Sequence, residues 1–209
     1  MIRLFSLFLA AVVCSPLATQ ARPVSFPEGW MAMTMNDSME NTATISYSPT
    51  AKDAFGFRTD YMRNDQTTLH TLTYNRLLQR WNNSDSQANI FLMTGAGVGE
   101  ESGDISPAGF IGMEADWESR RYYVSYENRF IASTVNEQYF DQKARIGIAP
   151  YVGDYDALHT WVMLQVQNNP TSNEKFIVTP LIRTFNTEFL TEVGYSSNKT
   201  LLFNATWQF

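Results

Sequence analysis

The chain has 209 residues, 44% of them hydrophobic, which excludes a disordered acidic tail and fits one sizeable domain. Only 17% of residues are charged while 14% are aromatic, a pairing expected where part of the outer surface faces something other than water. The net charge of −6 argues against a nucleic-acid partner held through its phosphates.

Residues 1–21 place Arg3 before an apolar stretch from Leu4 to Cys14, and Thr19-Gln20-Ala21 follows as a small-x-small cleavage site. This pattern predicts a secretory signal peptide, with residues 22–209 as a single domain. Acylation of Cys14 is the alternative, but Val13 is bulky where a lipoprotein signal wants a small residue. Cys14 is the only cysteine, so the rest of the chain has no disulfide, thiol chemistry or Cys-ligated zinc. Beyond this segment no apolar run approaches the roughly 20 residues of a membrane helix. A membrane span would have to be made of strands.

After the leader comes Met31-x-Met33-x-Met35-x3-Met39. Thioethers are soft ligands suited to Cu(I), and alternate spacing puts the first three on one strand face. The plainer expectation is a flexible apolar filler on a lipid-facing first strand.

From about residue 42 onward the chain alternates with period 2. Ala88, Ile90, Leu92 and Thr94 oppose Gln87, Asn89, Phe91 and Met93; Ile111, Met113, Ala115 and Trp117 oppose Gly112, Glu114 and Asp116. The cadence recurs through Tyr122–Arg129, Lys143–Ile148, Leu158–Gln167, Phe176–Arg183 and Phe189–Tyr195. It is clearest in the last ten residues, where Leu201, Phe203, Ala205, Trp207 and Phe209 share one face. Turn-forming clusters at 48–53, 63–66, 82–86, 100–107, 168–174 and 196–199 separate the runs. Counting Trp30–Asn36 and Asn41–Ser48 gives about 12 strands; the alternative is 10, with residues 22–41 a periplasmic or luminal segment. The longer loops are expected mostly on the outer side.

The polar face carries Arg58, Asp60, Glu114, Asp116, Glu127, Arg129, Lys143, Arg145, Arg183 and Glu192, acids and bases in equal number. Bulky charges on successive strands suit the lumen of a closed barrel, where they pair with one another. On the apolar face, Tyr61, Trp117, Tyr122, Phe130, Phe176, Phe189 and Trp207 sit near strand ends, as rings at a lipid–water boundary do. An open edge in lipid would leave backbone groups unpaired, so closure is expected. A soluble lipocalin-like barrel is the competing architecture.

The leader, the alternating strands and the final Phe209 together resemble the outer-membrane β-barrel proteins of Gram-negative bacteria. The resemblance implies an all-β, closed antiparallel transmembrane barrel in the outer membrane. It also implies that Phe203, Trp207 and Phe209 are read by the barrel assembly machinery, with outer-membrane lipid as the surroundings.

The first function expected is non-enzymatic: a narrow channel or structural envelope protein for a small solute or metal ion, linked to copper through Met31, Met33, Met35 and Met39. The alternative is a lipid- or peptide-acting hydrolase using His70, although no serine motif supports it. His159 is expected to face the lumen at the other end of the barrel. Gly95-Ala-Gly-Val-Gly99 lacks the Lys-Ser/Thr of a phosphate loop and reads as room for facing side chains. No catalytic residue and no resident cofactor are expected.

Overall fold

The computed structural model describes residues 22–133, 139–152, 157–168 and 175–209; the predicted leader lies outside them. Twelve strands follow one another: β1 Gly29–Asn36, β2 Glu40–Ser48, β3 Asp53–Met62, β4 Thr67–Asn82, β5 Ser86–Glu101, β6 Asp104–Ser119, β7 Tyr122–Ser133, β8 Tyr139–Ile148, β9 His159–Asn168, β10 Phe176–Asn186, β11 Phe189–Tyr195 and β12 Leu201–Gln208. Each pairs antiparallel with its sequence neighbours, and β12 pairs with β1 to close the barrel. Closure is sealed where Trp30 N donates to Phe209 O at 2.6 Å and Phe209 N returns a bond to Trp30 O at 2.9 Å. A closed sheet has no edge, so every strand finds two partners. The count is the expected 12 rather than 10, with residues 29–36 serving as a full strand.

Alternation decides which way each side chain points. On β10, Phe176, Val178, Pro180 and Ile182 are exposed while Ile177, Thr179, Leu181 and Arg183 are buried. The same split on β7 exposes Tyr122, Val124 and Tyr126 and buries Tyr123 and Ser125. The outside is therefore apolar and the inside polar, the reverse of a water-soluble domain. Tyr61, Trp117, Tyr122, Phe130, Phe176, Phe189 and Trp207 all lie exposed on the outside. One irregularity resets the pattern: a bulge between Leu77 and Gln79 flips the parity of β4, so that Leu78 faces out and Arg80 faces in.

Three expectations are corrected. Glu100–Pro107 is not a loop: β5 and β6 run on to Glu101 and Asp104, joined by Ser102 and Gly103, both with positive φ (52° and 93°). That is the conformation of a tight hairpin turn whose twist matches its strands, so pairing continues to the tip. The widest gap in sequence between consecutive strands, from Ile148 to His159, opens and closes at the barrel end that carries the termini, an exception to the outer placement. Finally, Met31, Met33 and Met35 face the interior, not lipid; Met31 is fully buried and all three line the internal cavity. Trp30 opens β1 facing outward, and parity then sends the methionines inward.

Candidate functional site in the barrel interior

All ten charged residues expected on the polar face carry the inward parity of their strands. They fall into three clusters along the lumen, all of which contribute to the lining of an internal cavity of about 80 Å³, room for a few water molecules.

At the far end, Arg129 on β7 reaches across the barrel to Glu40 on β2, forming a short ion pair, and to Asp60 on β3 at 3.3 Å. Arg58 pairs with Asp60 at 2.7 Å, and Thr42 donates its hydroxyl to the same carboxylate at 2.7 Å. Both guanidinium carbons stand 5.7 Å from the centre of the Phe110 ring, each in cation–π range. Phe110 fits because its partner on β5 is Gly95, where an added Cβ would collide with the ring. Above this layer the β1–β2 turn folds inward. Asp37 accepts from Met39 N and Glu40 N through Oδ1 and from Gln167 Nε2 at 2.6 Å through Oδ2, while Lys143 Nζ approaches to 3.8 Å. Asp141, one position of the same parity from Lys143, is also buried.

On the wall formed by β8–β12, Glu192 is the hub. Arg183 bonds it at 2.6 Å, Arg145 at 3.3 Å, and Asn204 Nδ2 donates to it at 2.6 Å. Arg183 also lies over the Tyr123 ring at 4.8 Å. Glu192 thus takes a guanidinium from each of two strands, which fixes both arginine side chains against the wall.

At the end carrying the termini the charges are arranged differently. Glu114, Asp116 and Glu118 occupy alternate positions of β6 and form an acidic stripe; Glu127 on β7 sits directly opposite Glu114. Like charges in register repel; Lys143 on β8, in register with Glu127, offsets part of this, and the Asp116–Glu118 end of the stripe needs a counter-ion of its own. It comes from Arg22, ahead of the first strand, whose Nη2 donates to Glu118 at 2.6 Å and to Asp116 at 3.5 Å. Asn89 completes the group: its Nδ2 donates to Asp116 at 2.8 Å and its Oδ1 accepts from Arg80 at 2.6 Å.

The interior is more acidic than the expected equal set, because Asp37, Glu40, Glu118 and Asp141 join it, against only Arg22 and Arg80. Glu118 and Asp141 were legible: each extends a charged parity already counted, Glu114-x-Asp116-x-Glu118 and Asp141-x-Lys143-x-Arg145. Glu40 and Asp37 stand at a strand boundary, and no local signal marks Arg22.

The remaining candidates separate. His70 points outward, its Nδ1 sharing a hydrogen bond with the Thr59 hydroxyl at 3.1 Å and its ring stacked 6.2 Å from Phe57. His159 has inward parity at the opposite end of the barrel, so the two histidines share neither a face nor a height. Met39 is buried in the β1–β2 turn, apart from the strand-borne methionines. Among the described residues, no group of three or more His, Cys, Asp or Glu is placed to hold a metal ion. Phe203, Trp207 and Phe209 lie outward on the final strand, with Trp207 stacked on Phe189 at 5.7 Å and near Phe209 at 4.2 Å.

No protein-family model and no curated protein matches the chain. Among solved structures it is similar to the KdgM porin, at 10% identity and a TM-score of 0.49 over 87% of this chain and 98% of that one. A KdgM porin in complex with disordered oligogalacturonate gives 9% identity, the same coverage and the same TM-score. Likeness at this level adds nothing to what the closed twelve-strand sheet already shows.

Proposed function

We propose that the protein is an integral β-barrel of a bacterial outer membrane, a non-enzymatic narrow channel whose resting lumen is held shut by ion pairs. The observation that carries this reading is the contrast between an apolar outside and an interior bridged by strand-borne charges around a small cavity. Lipid is the solvent that rewards the first, and buried pairing satisfies the second. The channel is narrow because Arg129, Glu40, Asp60 and Asp37 cross the path at the far end. Phe203, Trp207 and Phe209, outward on the closing strand, are available to the assembly machinery.

Copper forms no part of the proposal. The methionine stripe shares its cavity with charged side chains of both signs, Arg58, Arg129 and Arg145 with Glu114, Glu127 and Glu192, and no histidine or cysteine stands among the residues that line it. A hydrolase is disfavoured by His70, whose ring faces away from the interior and from every inward carboxylate. The test is conductance of the membrane-purified protein in a planar lipid bilayer. Small, discrete and infrequent openings are expected. Silence across the full voltage range from a verified folded barrel, and from folded variants with a lumen ion pair removed, would replace the channel with a structural role.

A further inference from the structure

Residues 22–28 belong to no strand, yet their first three lie buried inside the barrel wall. Side-chain contacts hold them. Arg22 spans Asp116 and Glu118; Asn75 Nδ2 donates to Pro23 O at 3.2 Å; Val24 packs with Ala54, Leu77 and Phe91; Ser25 N donates to Ser48 Oγ at 3.0 Å. Arg22 and Pro23 form part of the wall of the internal cavity, so the segment closes it on the side of the termini.

The pocket that Arg22 fills has the chemistry of a cation site. Asp116 and Glu118 supply charge and Asn89 fixes the first carboxylate. Asp116 is almost wholly buried, and its Oδ2 has no hydrogen-bond partner among the described residues, so an acceptor is left over. Glu114 and Glu127 continue the acidic wall towards the cavity. On the facing wall Arg145 and Arg183 are already bound to Glu192. Without Arg22, Asp116 and Glu118 lose the cation that bonds them directly; Arg80, held on Asn89, and Lys143, in register with Glu127, are the bases left beside four carboxylates.

We propose that residues 22–28 are a tethered plug, and that the pocket its Arg22 occupies on Asn89, Asp116 and Glu118 is a guanidinium- and ammonium-binding site reached by small organic cations when the plug withdraws. This deepens the channel reading and rests on it: the solutes selected are cations rather than acidic sugars.

The test uses membrane-purified protein in planar bilayers, comparing the native sequence with Arg22→Gln and Val24→Asp. Val24→Asp unseats the segment by placing a carboxylate beside Phe91 and leaves the strands intact; resistance to unfolding in detergent verifies the barrel. Both variants should open about tenfold more often, as expected when a favoured closed state loses an ion pair. Their current should be cation-selective, and guanidinium chloride added on the side of the termini should block it. A Ser25→Cys/Ser48→Cys cross-link, verified by mass spectrometry, should hold the native channel shut until reduced. Unchanged opening in folded variants, or anion-selective current from them, would overturn the plug while leaving the channel standing if the native protein conducts. Silence from the native protein and every variant would overturn both.

Discussion

The two ends of the lumen use the same bond for opposite purposes. At the far end, Arg129 binds Glu40 and Asp60 from a position fixed in β7 by backbone pairing on both sides. At the other end, Arg22 binds Asp116 and Glu118 from a segment that no sheet ladder restrains. A guanidinium on a strand can only swing aside within the lumen, its backbone staying in the wall; one on a tether leaves by moving a few residues into water. The first braces the barrel, and the second closes it.

The largest effect expected is from Arg129→Ala, which leaves Arg58 as the one guanidinium against two buried carboxylates, Glu40 and Asp60, and should cost about 3–5 kcal/mol. A large fall in the temperature at which the folded barrel is lost in detergent would show it. Next is the outer face. Ile182→Arg, exposed at the middle of β10, should cost about 2–4 kcal/mol in lipid, whereas on a water-facing surface it would be within about 0.5 kcal/mol of neutral. Refolding equilibria in lipid vesicles separate the two. Gly95→Val should cost about 1–3 kcal/mol by displacing Phe110 from between Arg58 and Arg129, and Phe110→Leu in the same chain should recover part of it. The smallest stability effect belongs to Arg22→Ala, about 1 kcal/mol or less, because the freed segment and the carboxylates both regain water. If Arg22→Ala melts the barrel as much as Arg129→Ala does, the distinction between brace and plug is wrong.

How much was legible depends on whether the signal is local. A strand sends successive side chains to opposite faces, so the inward set from Arg58 to Glu192 and the outward aromatics could be read position by position. The turn at Ser102–Gly103 was read too long because two positive-φ residues suffice where eight residues of mostly turn-forming type, Glu100–Pro107, stand in sequence. The methionine stripe was placed on the wrong side, since sulfur-containing apolar residues suit either lipid or a packed interior.

The sequence by itself determined the strand count, the faces of the alternating runs from about residue 42 onward and the charged character of the interior, since all three follow from a period of two repeated along the chain. Tertiary structure alone decided who pairs with whom. Arg129 meets Glu40, and Gln167 meets Asp37, only because the sheet closes and brings distant strands face to face across a narrow lumen. Arg22 carries no periodic signal at all; its role exists because the acidic stripe of β6 leaves a counter-charge missing where the chain enters the barrel.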